Sequence, residues 1–213
     1  MGCFITFEGI EGCGKTTQIR HLAKRMEQLE IPVTVTREPG GCPIADQVRS
    51  ILLNSANREM LPMTELLLYA AARSQHVEEV VKPALAAGKI VLCDRFTDAT
   101  MAYQGYGRGI DSALIERLNQ MATSGIRPDL TVILDCPVEV GLSRAFERIN
   151  GTTGEREERF EMETVAFHQR VRDGYLHLAR KEPDRFLVIN GEENADAVSK
   201  NMEREVLARI GGR

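Results

Sequence analysis

Apolar residues follow two rhythms along this chain. Five short runs are almost wholly apolar: Phe4 to Phe7, Val33 with Val35, Ile90 to Cys93, Thr131 to Leu134 and Phe186 to Ile189. Between them apolar residues recur at three- and four-residue spacing, as in Ile19, Leu22, Ala23, Met26 and Leu29. The first rhythm predicts buried strands and the second amphipathic helices. Strands that are apolar on both faces and alternate with helices belong to a parallel sheet with helices on either side. The expected architecture is α/β, a three-layer fold around a five-stranded parallel sheet.

The helices can be placed from their punctuation. One is predicted from Lys15 to about Glu30, ended by Pro32. Ile44, Val48, Ile51 and Leu52 mark a short helix carrying Arg49, and a longer one starts near Thr64 and runs through Tyr69, Arg73 and Val77 until Pro83 kinks or ends it. Asp111 caps a helix with Leu114, Ile115, Leu118 and Met121 on one face, stopped by Gly125. Pro137 sits at the first turn of another that reaches about Ile149. Asn150 to Glu158 is polar and contains glycine, and helical spacing resumes from Phe160 to Lys181, so a lid or hairpin is expected at about 148–160. The tail from Asn194 is helical. No repeat or low-complexity tract interrupts the chain, and a single domain over 1–213 is the default.

Composition narrows the class. The chain has 213 residues, 27% charged and 43% hydrophobic, as in ordinary globular proteins. No apolar run approaches the roughly 18–20 residues of a membrane span, and Phe4 to Phe7 leads straight into a glycine-rich loop rather than a secretory signal, so a cytoplasmic location is expected. Five cysteines, Cys3, Cys13, Cys42, Cys93 and Cys136, contain no C-x-x-C pair, which argues for reduced thiols over a zinc site or a disulfide framework. Net charge is −4 with no block of Lys or Arg, so neither a nucleic-acid face nor a nucleic-acid partner is expected. Basic residues are deployed singly, as around a small anion.

The densest chemistry lies in Gly9-Ile10-Glu11-Gly12-Cys13-Gly14-Lys15-Thr16, followed by Thr17, between the first strand and the first helix. The spacing G-x-x-x-x-G-K-T is that of a phosphate loop. Its glycines let successive backbone N–H groups curl toward phosphate oxygens, and the following helix adds its positive end. Lys15 reaches the outer phosphates and the Thr16 hydroxyl can ligate Mg²⁺. Cys13 lies among the same donors, where it is either a thiol activated toward oxidation or a small side chain that fits.

Further along stand Thr36-Arg37-Glu38-Pro39-Gly40-Gly41, Asp94-Arg95-Phe96 and Ala99-Thr100-Met101-Ala102-Tyr103-Gln104-Gly105. With Phe7-Glu8-Gly9 opening the phosphate loop, these four pieces in this order closely resemble the bacterial thymidylate kinase family, nucleoside monophosphate kinases that make dTDP from dTMP. The resemblance covers nearly the whole chain and implies a P-loop NTPase-type fold, ATP and Mg²⁺ as cofactors, dTMP as acceptor and a homodimer.

The resemblance also implies roles. The amides of Gly9 to Thr17 and Lys15 would hold the ATP phosphates, and Arg144 would stack on adenine, with Asn190 to Asn194 at the rim. Arg95 would clamp the acceptor phosphate with help from Arg49, and Glu11 would touch the acceptor or its metal. Asp94 would order Arg95 or a metal-bound water, or serve as a cap or structural ion pair. Tyr69 and Arg73, one helical turn apart on one face, would pack on thymine, although an aromatic there also suits a core. Thr100 and Gln104 would hydrogen-bond the base, and Glu38 would lie near the deoxyribose. Ala99 departs from the family's common serine, which removes one contact of about 1 kcal/mol and predicts altered acceptor affinity. Gly12 stands where one branch of the family has an arginine, so Arg156 and Arg159, approached by Arg148, are the lid candidates for the missing charge; the same residues also read as a solvated charge run.

Two rival readings remain at this point. One is a kinase for another monophosphate or a deoxynucleoside, and Arg95 with Arg49 favours a phosphorylated acceptor. The other is a nucleotide-dependent switch ATPase.

Overall fold

The computed structural model describes residues 2–150 and 159–211. Among these, β1 (Cys3–Glu8), β2 (Val33–Arg37), β3 (Ile90–Asp94), β4 (Leu130–Asp135) and β5 (Phe186–Asn190) form one parallel sheet in the order β2-β3-β1-β4-β5. All six residues of β1 are buried, the signature of a central strand covered on both faces. Phe4 meets Phe96 edge to face at 4.8 Å on one side, within a cluster that includes Val77, Val81 and Val91. Ile5 and Phe7 belong to the larger cluster on the other side, with Leu22 and Met26. Thr6 is also buried, and its hydroxyl shares a 2.9 Å hydrogen bond with that of Thr131, which satisfies both.

The register sets the chemistry. Phe7 lies opposite Asp94, Arg37 opposite Asp94 and Glu8 opposite Ile133, so the carboxyl ends of the strands reach one edge together. Strands β2 and β3 lie on one side of β1 and β4 and β5 on the other, and a ligand crevice forms at such a switch point.

Helices α1 (Lys15–Gln28), α2 (Pro43–Leu53) and α3 (Pro62–His76) fall where the apolar spacing puts them. Helix α1 stops earlier than predicted, at Gln28, because Glu30 turns left-handed at φ 56 before Pro32 is reached. Pro83 neither ends its helix nor stands at a sharp break. After α3 the backbone widens into a π-helical turn, Val77–Val81, and then continues as α4 (Lys82–Ala86). A proline lacks the N–H and pushes on the carbonyl four residues back, and a π turn just ahead of it relieves that conflict.

After β3 come α5 (Thr97–Thr100), a second π-helical turn, Met101–Gly107, and α6 (Ser112–Thr123). The Asp111 side chain accepts from the Ala113 amide, as the predicted cap requires. Then follow α7 (Val138–Asn150), α8 (Val165–Lys181) and α9 (Ala195–Gly211). Pro137 precedes the first turn of α7 rather than lying in it, and its carbonyl accepts from Gly141 N at 3.0 Å. Helix α8 begins five residues later than its apolar spacing predicts. Thr164 caps it through a 3.2 Å bond from Phe167 N, and Phe160 lies outside the helix, edge-on to Tyr103 at 5.3 Å.

Candidate active site

The phosphate loop closes the end of β1 with Gly9, Gly12 and Gly14 at φ 136, 68 and 98. Lys15 opens α1 and its ammonium donates to the carbonyls of Gly9 and Ile10 at 2.9 and 3.0 Å, with Cys13 Sγ at 3.4 Å. Cys13 is buried. Thr16 and Thr17 are exposed in the first helical turn. The Thr16 hydroxyl donates to Asp94 Oδ2 at 3.1 Å, so the end of β3 supplies a second oxygen beside it. Two hard oxygen donors at a helix N-terminus suit Mg²⁺, which keeps most of its waters and leans on substrate phosphates.

Gly12 has a steric cause. A Cβ at that position would lie 1.9 Å from the carbonyl oxygen of Gly141, and one on Gly141 would lie 2.5 Å from the Glu11 carbonyl. Loop and α7 thus meet backbone to backbone through two glycines. On the loop's other flank the Arg144 guanidinium donates to the Gly191 carbonyl at 3.0 Å, and Gly191 N donates to Asp135 O at 2.6 Å.

Arg95 joins the loop to a neighbouring pocket. It takes the left-handed conformation at φ 69, and its amide donates to Phe7 O at 2.9 Å. Its Nη2 donates to Glu11 Oε1 at 2.7 Å and to the Tyr103 hydroxyl at 3.0 Å, while Tyr103 itself donates to Glu11 Oε1 at 2.6 Å. The other Glu11 oxygen lies 3.2 Å from His168 Nδ1. Burial opposes ionisation of Glu11, but Arg95, His168 and Lys15 together hold its carboxyl well below the usual range.

Glu38, Tyr69, Arg73, Arg95, Thr100 and Gln104 line one pocket, together with Phe96, Ala99 and Tyr103. Arg73 is buried and spends four of its N–H directions: on Glu38 Oε2 (2.7 Å), Asn119 Oδ1 (2.7 Å), Phe96 O (3.0 Å) and Thr100 Oγ1 (2.9 Å). With five donors in the fork, one remains for a ligand. Gln104 donates to Glu65 Oε1 at 2.8 Å. Arg49 is not in the lining; its Nη1 donates to the Pro39 carbonyl at 3.0 Å, beside Glu38.

The thymidylate kinase family model matches residues 7–202. A thymidylate kinase from Geotalea uraniireducens is 66% identical over 210 residues, covering 99% of each chain. One from Geotalea daltonii is 63% identical over 213 residues, covering 100% of each. The chain belongs to the thymidylate kinase family. Its fold agrees with that of thymidylate kinase from Ehrlichia chaffeensis, at TM-score 0.77 and 34% identity over 96% of this chain and 98% of that one.

Against the family's pattern, the lid arginines divide. Arg156 lies outside the described residues. Arg159 is buried: its Nη1 pairs with Glu65 Oε2 at 2.7 Å, its Nε donates to the Leu52 carbonyl, and its guanidinium lies 4.6 Å from the Phe160 ring centre. Arg159 is therefore no member of a solvated charge run, and its partners are on α2 and α3 rather than in the loop. Arg148 pairs with Glu161 at 3.2 Å.

Several site residues were not singled out from sequence. Tyr103 lies within the Ala99 to Gly105 motif with no role implied there, and Glu65 is an acid on α3 with no sequence signal of its own. His168 shares one face of α8 with Val171 and Tyr175, a spacing that also suits a core. Tyr175 is core with a polar tip: its hydroxyl donates to Glu8 Oε2 at 2.7 Å.

Glu8 makes a pH prediction for this thymidylate kinase family member. It is fully buried, and burial followed by the Asp98 charge pushes its carboxyl up to about 8, against the bonds from Tyr175 and from Phe96 N. Folding then takes up a proton between 4.5 and about 8. This contribution to stability is full below that window and is lost as pH rises through it. Melting temperatures followed from about pH 5 to about pH 9 should fall less steeply for Glu8→Gln than for the parent. Equal slopes would mean that Glu8 does not carry the effect.

Proposed function

We propose that this chain transfers the terminal phosphoryl group of ATP to dTMP, giving dTDP and ADP, at a site shared by the phosphate loop and the Arg95 pocket. The observation that carries this reading is Arg95 itself, which bonds Glu11 of the loop and lines the acceptor pocket. One oxygen of the acceptor phosphate bonds the γ-phosphorus as its bond to the bridging β–γ oxygen breaks. Two anions must be brought into line and their repulsion cancelled, so positioning and electrostatics supply the catalysis.

In this reading the loop amides and Lys15 hold the ATP phosphates, with Arg144 at the adenine side. Thr16 and Asp94 would hold Mg²⁺, which would supply positive charge against the phosphates. Arg95 clamps the acceptor phosphate and Glu11 fixes Arg95. Arg73, Thr100 and Gln104 read the base with Tyr69 packed beside it, and Glu38 with Arg49 closes the sugar side. Arg156 and Arg159 bring charge to the transferring group from the lid at 148–160, Arg159 by exchanging Glu65 for phosphate. One kinase domain spans 1–213.

Met63 and Leu67 on α3 and Met121 on α6 are exposed apolar residues on helices that pack together, which supports a homodimer through that face; sedimentation equilibrium reads the mass. No described helix is long and apolar enough to cross a membrane, which agrees with a cytoplasmic enzyme.

A coupled assay over a panel of monophosphates tests the assignment. ADP release should depend on dTMP; preference for a purine monophosphate, or equal ATP consumption without acceptor, overturns it. Arg156→Ala and Arg159→Ala should each lower kcat by about 10²-fold, in line with loss of one transition-state donor. Parent turnover in both ends the lid proposal.

A further inference from the structure

Behind the acceptor pocket lies a polar chain whose inner members, Thr36 and His76, none of the site roles above uses. His76, the last residue of α3, has no exposed surface. Its Nδ1 lies 2.8 Å from Glu38 Oε1 and its Nε2 lies 2.7 Å from the Thr36 hydroxyl on β2. Glu38 is 4% exposed, and its second oxygen accepts from Arg73 Nε at 2.7 Å. Arg73 then reaches Thr100 and Asn119. A hydroxyl, an imidazole and a carboxylate are thus aligned into the guanidinium that lines the pocket.

The arrangement is closed at its inner end. Gly41, at φ 89, packs against the Thr36–His76 bond: a Cβ there would lie 2.6 Å from Thr36 Oγ1 and 2.8 Å from His76 Nε2. Buried this way, the Thr36 hydroxyl has no path to a substrate, so the chain does not serve nucleophilic chemistry. It orients. A carboxylate only accepts hydrogen bonds, so the His76 proton that faces Glu38 is on Nδ1. With Arg73 held on one oxygen and His76 on the other, Glu38 cannot rotate, and the Arg73 fork is fixed in turn. Arg73 and His76 sit three residues apart on one helix face, and the π-helical turn starts directly after His76. Such turns recur at functional sites.

We infer that His76 is a positioning residue for the acceptor: through Glu38 it holds Arg73 in register with the base, and it sets acceptor affinity without touching either substrate. The inference rests on reading the Glu38–Arg73 pocket as the dTMP site.

Two replacements separate orientation from packing. His76→Asn puts an amide N–H at the place of Nδ1 and keeps the bond to Glu38, whereas His76→Gln fills more of the volume but reaches toward Thr36 instead. Measured on the full chain, His76→Gln should raise KM for dTMP about tenfold or more, as loss of one bond to a charged group does, with KM for ATP within about twofold. His76→Asn should stay within about threefold of the parent for both substrates. The reverse order, or parallel rises in both KM values, assigns His76 to packing and overturns the inference.

Glu38→Gln is the control for the underlying reading. If it leaves KM for dTMP unchanged, the pocket is not the acceptor site; if it raises KM while His76→Gln does not, only the role of His76 fails. A readout on the unaltered protein covers the case in which the variants do not fold. Imidazole ¹⁵N NMR should show a protonated Nδ1 on His76 whose shift moves with dTMP and not with ATP. An unprotonated Nδ1, or no response to dTMP, overturns the inference as well.

Discussion

Replacing Gly12 by arginine lowers kcat/KM for ATP by about 10²-fold, the cost of displacing a reacting group by an ångström or so, instead of adding a useful cation. The resemblance puts an arginine at this place in one branch of the family, where it is expected to bring charge to the transfer. Here the backbone forbids it, because a Cβ at position 12 would lie 1.9 Å from the Gly141 carbonyl oxygen, and φ 68 is strained for any residue with a side chain. Neither atom is the tip of a flexible side chain. Loop and α7 must separate, and with them go the amides aimed at phosphate. Gly12→Ala should do much of the same damage, since Cβ alone makes the clash. Steady-state kinetics with both substrates varied decides the matter: parent values in Gly12→Arg would mean that α7 yields freely.

Arg95→Ala should abolish most activity and destabilise the fold, and the two effects come apart on a second substitution. Glu11 is 5% exposed at the side chain and Arg95 20%. Removing one partner of such a pair strands a buried charge and costs about 3 kcal/mol, toward the low end of the usual range because Arg95 is partly solvated. The same change removes the cation that lines the acceptor pocket, with an expected loss of about 10²-fold or more in kcat/KM for dTMP. Glu11→Gln added to Arg95→Ala should return much of the stability and none of the activity. Chemical denaturation and the coupled assay, run on the same four proteins, give the cycle. Additive stabilities would dissolve the pair. The sign with pH is opposite to that of Glu8. The Glu11 carboxyl is held below its ordinary value, so its contribution is complete above about pH 4.5 and is lost as pH falls below it.

The two predictions draw on different amounts of sequence. Local pattern was enough to find the five strands, the loop and the helix face carrying Tyr69 and Arg73, because strand burial, glycine turns and helical spacing are set by residues within a few positions of each other. Of the seven residues assigned to substrate by resemblance, all but Arg49 line one pocket. Helix ends were less legible where tertiary packing competed. Phe160 joins the aromatic cluster instead of α8, and Pro83 stays inside a helix that widens ahead of it.

Sequence alone thus determined the strand–loop–helix unit with its phosphate-loop spacing and the motifs that carry Arg73 and Arg95. Only the tertiary structure decided why Gly12 must be bare, what fixes Glu11 and Arg95, and that His76 stands behind Glu38. Those partners are 129 residues apart in one case, Gly12 and Gly141, 84 in another, Glu11 and Arg95, and 38 in the third. A contact between distant residues has no local spacing to betray it. It exists because the sheet register brings strand ends to one edge, where backbone, carboxylate and ring must then fit the space that is left.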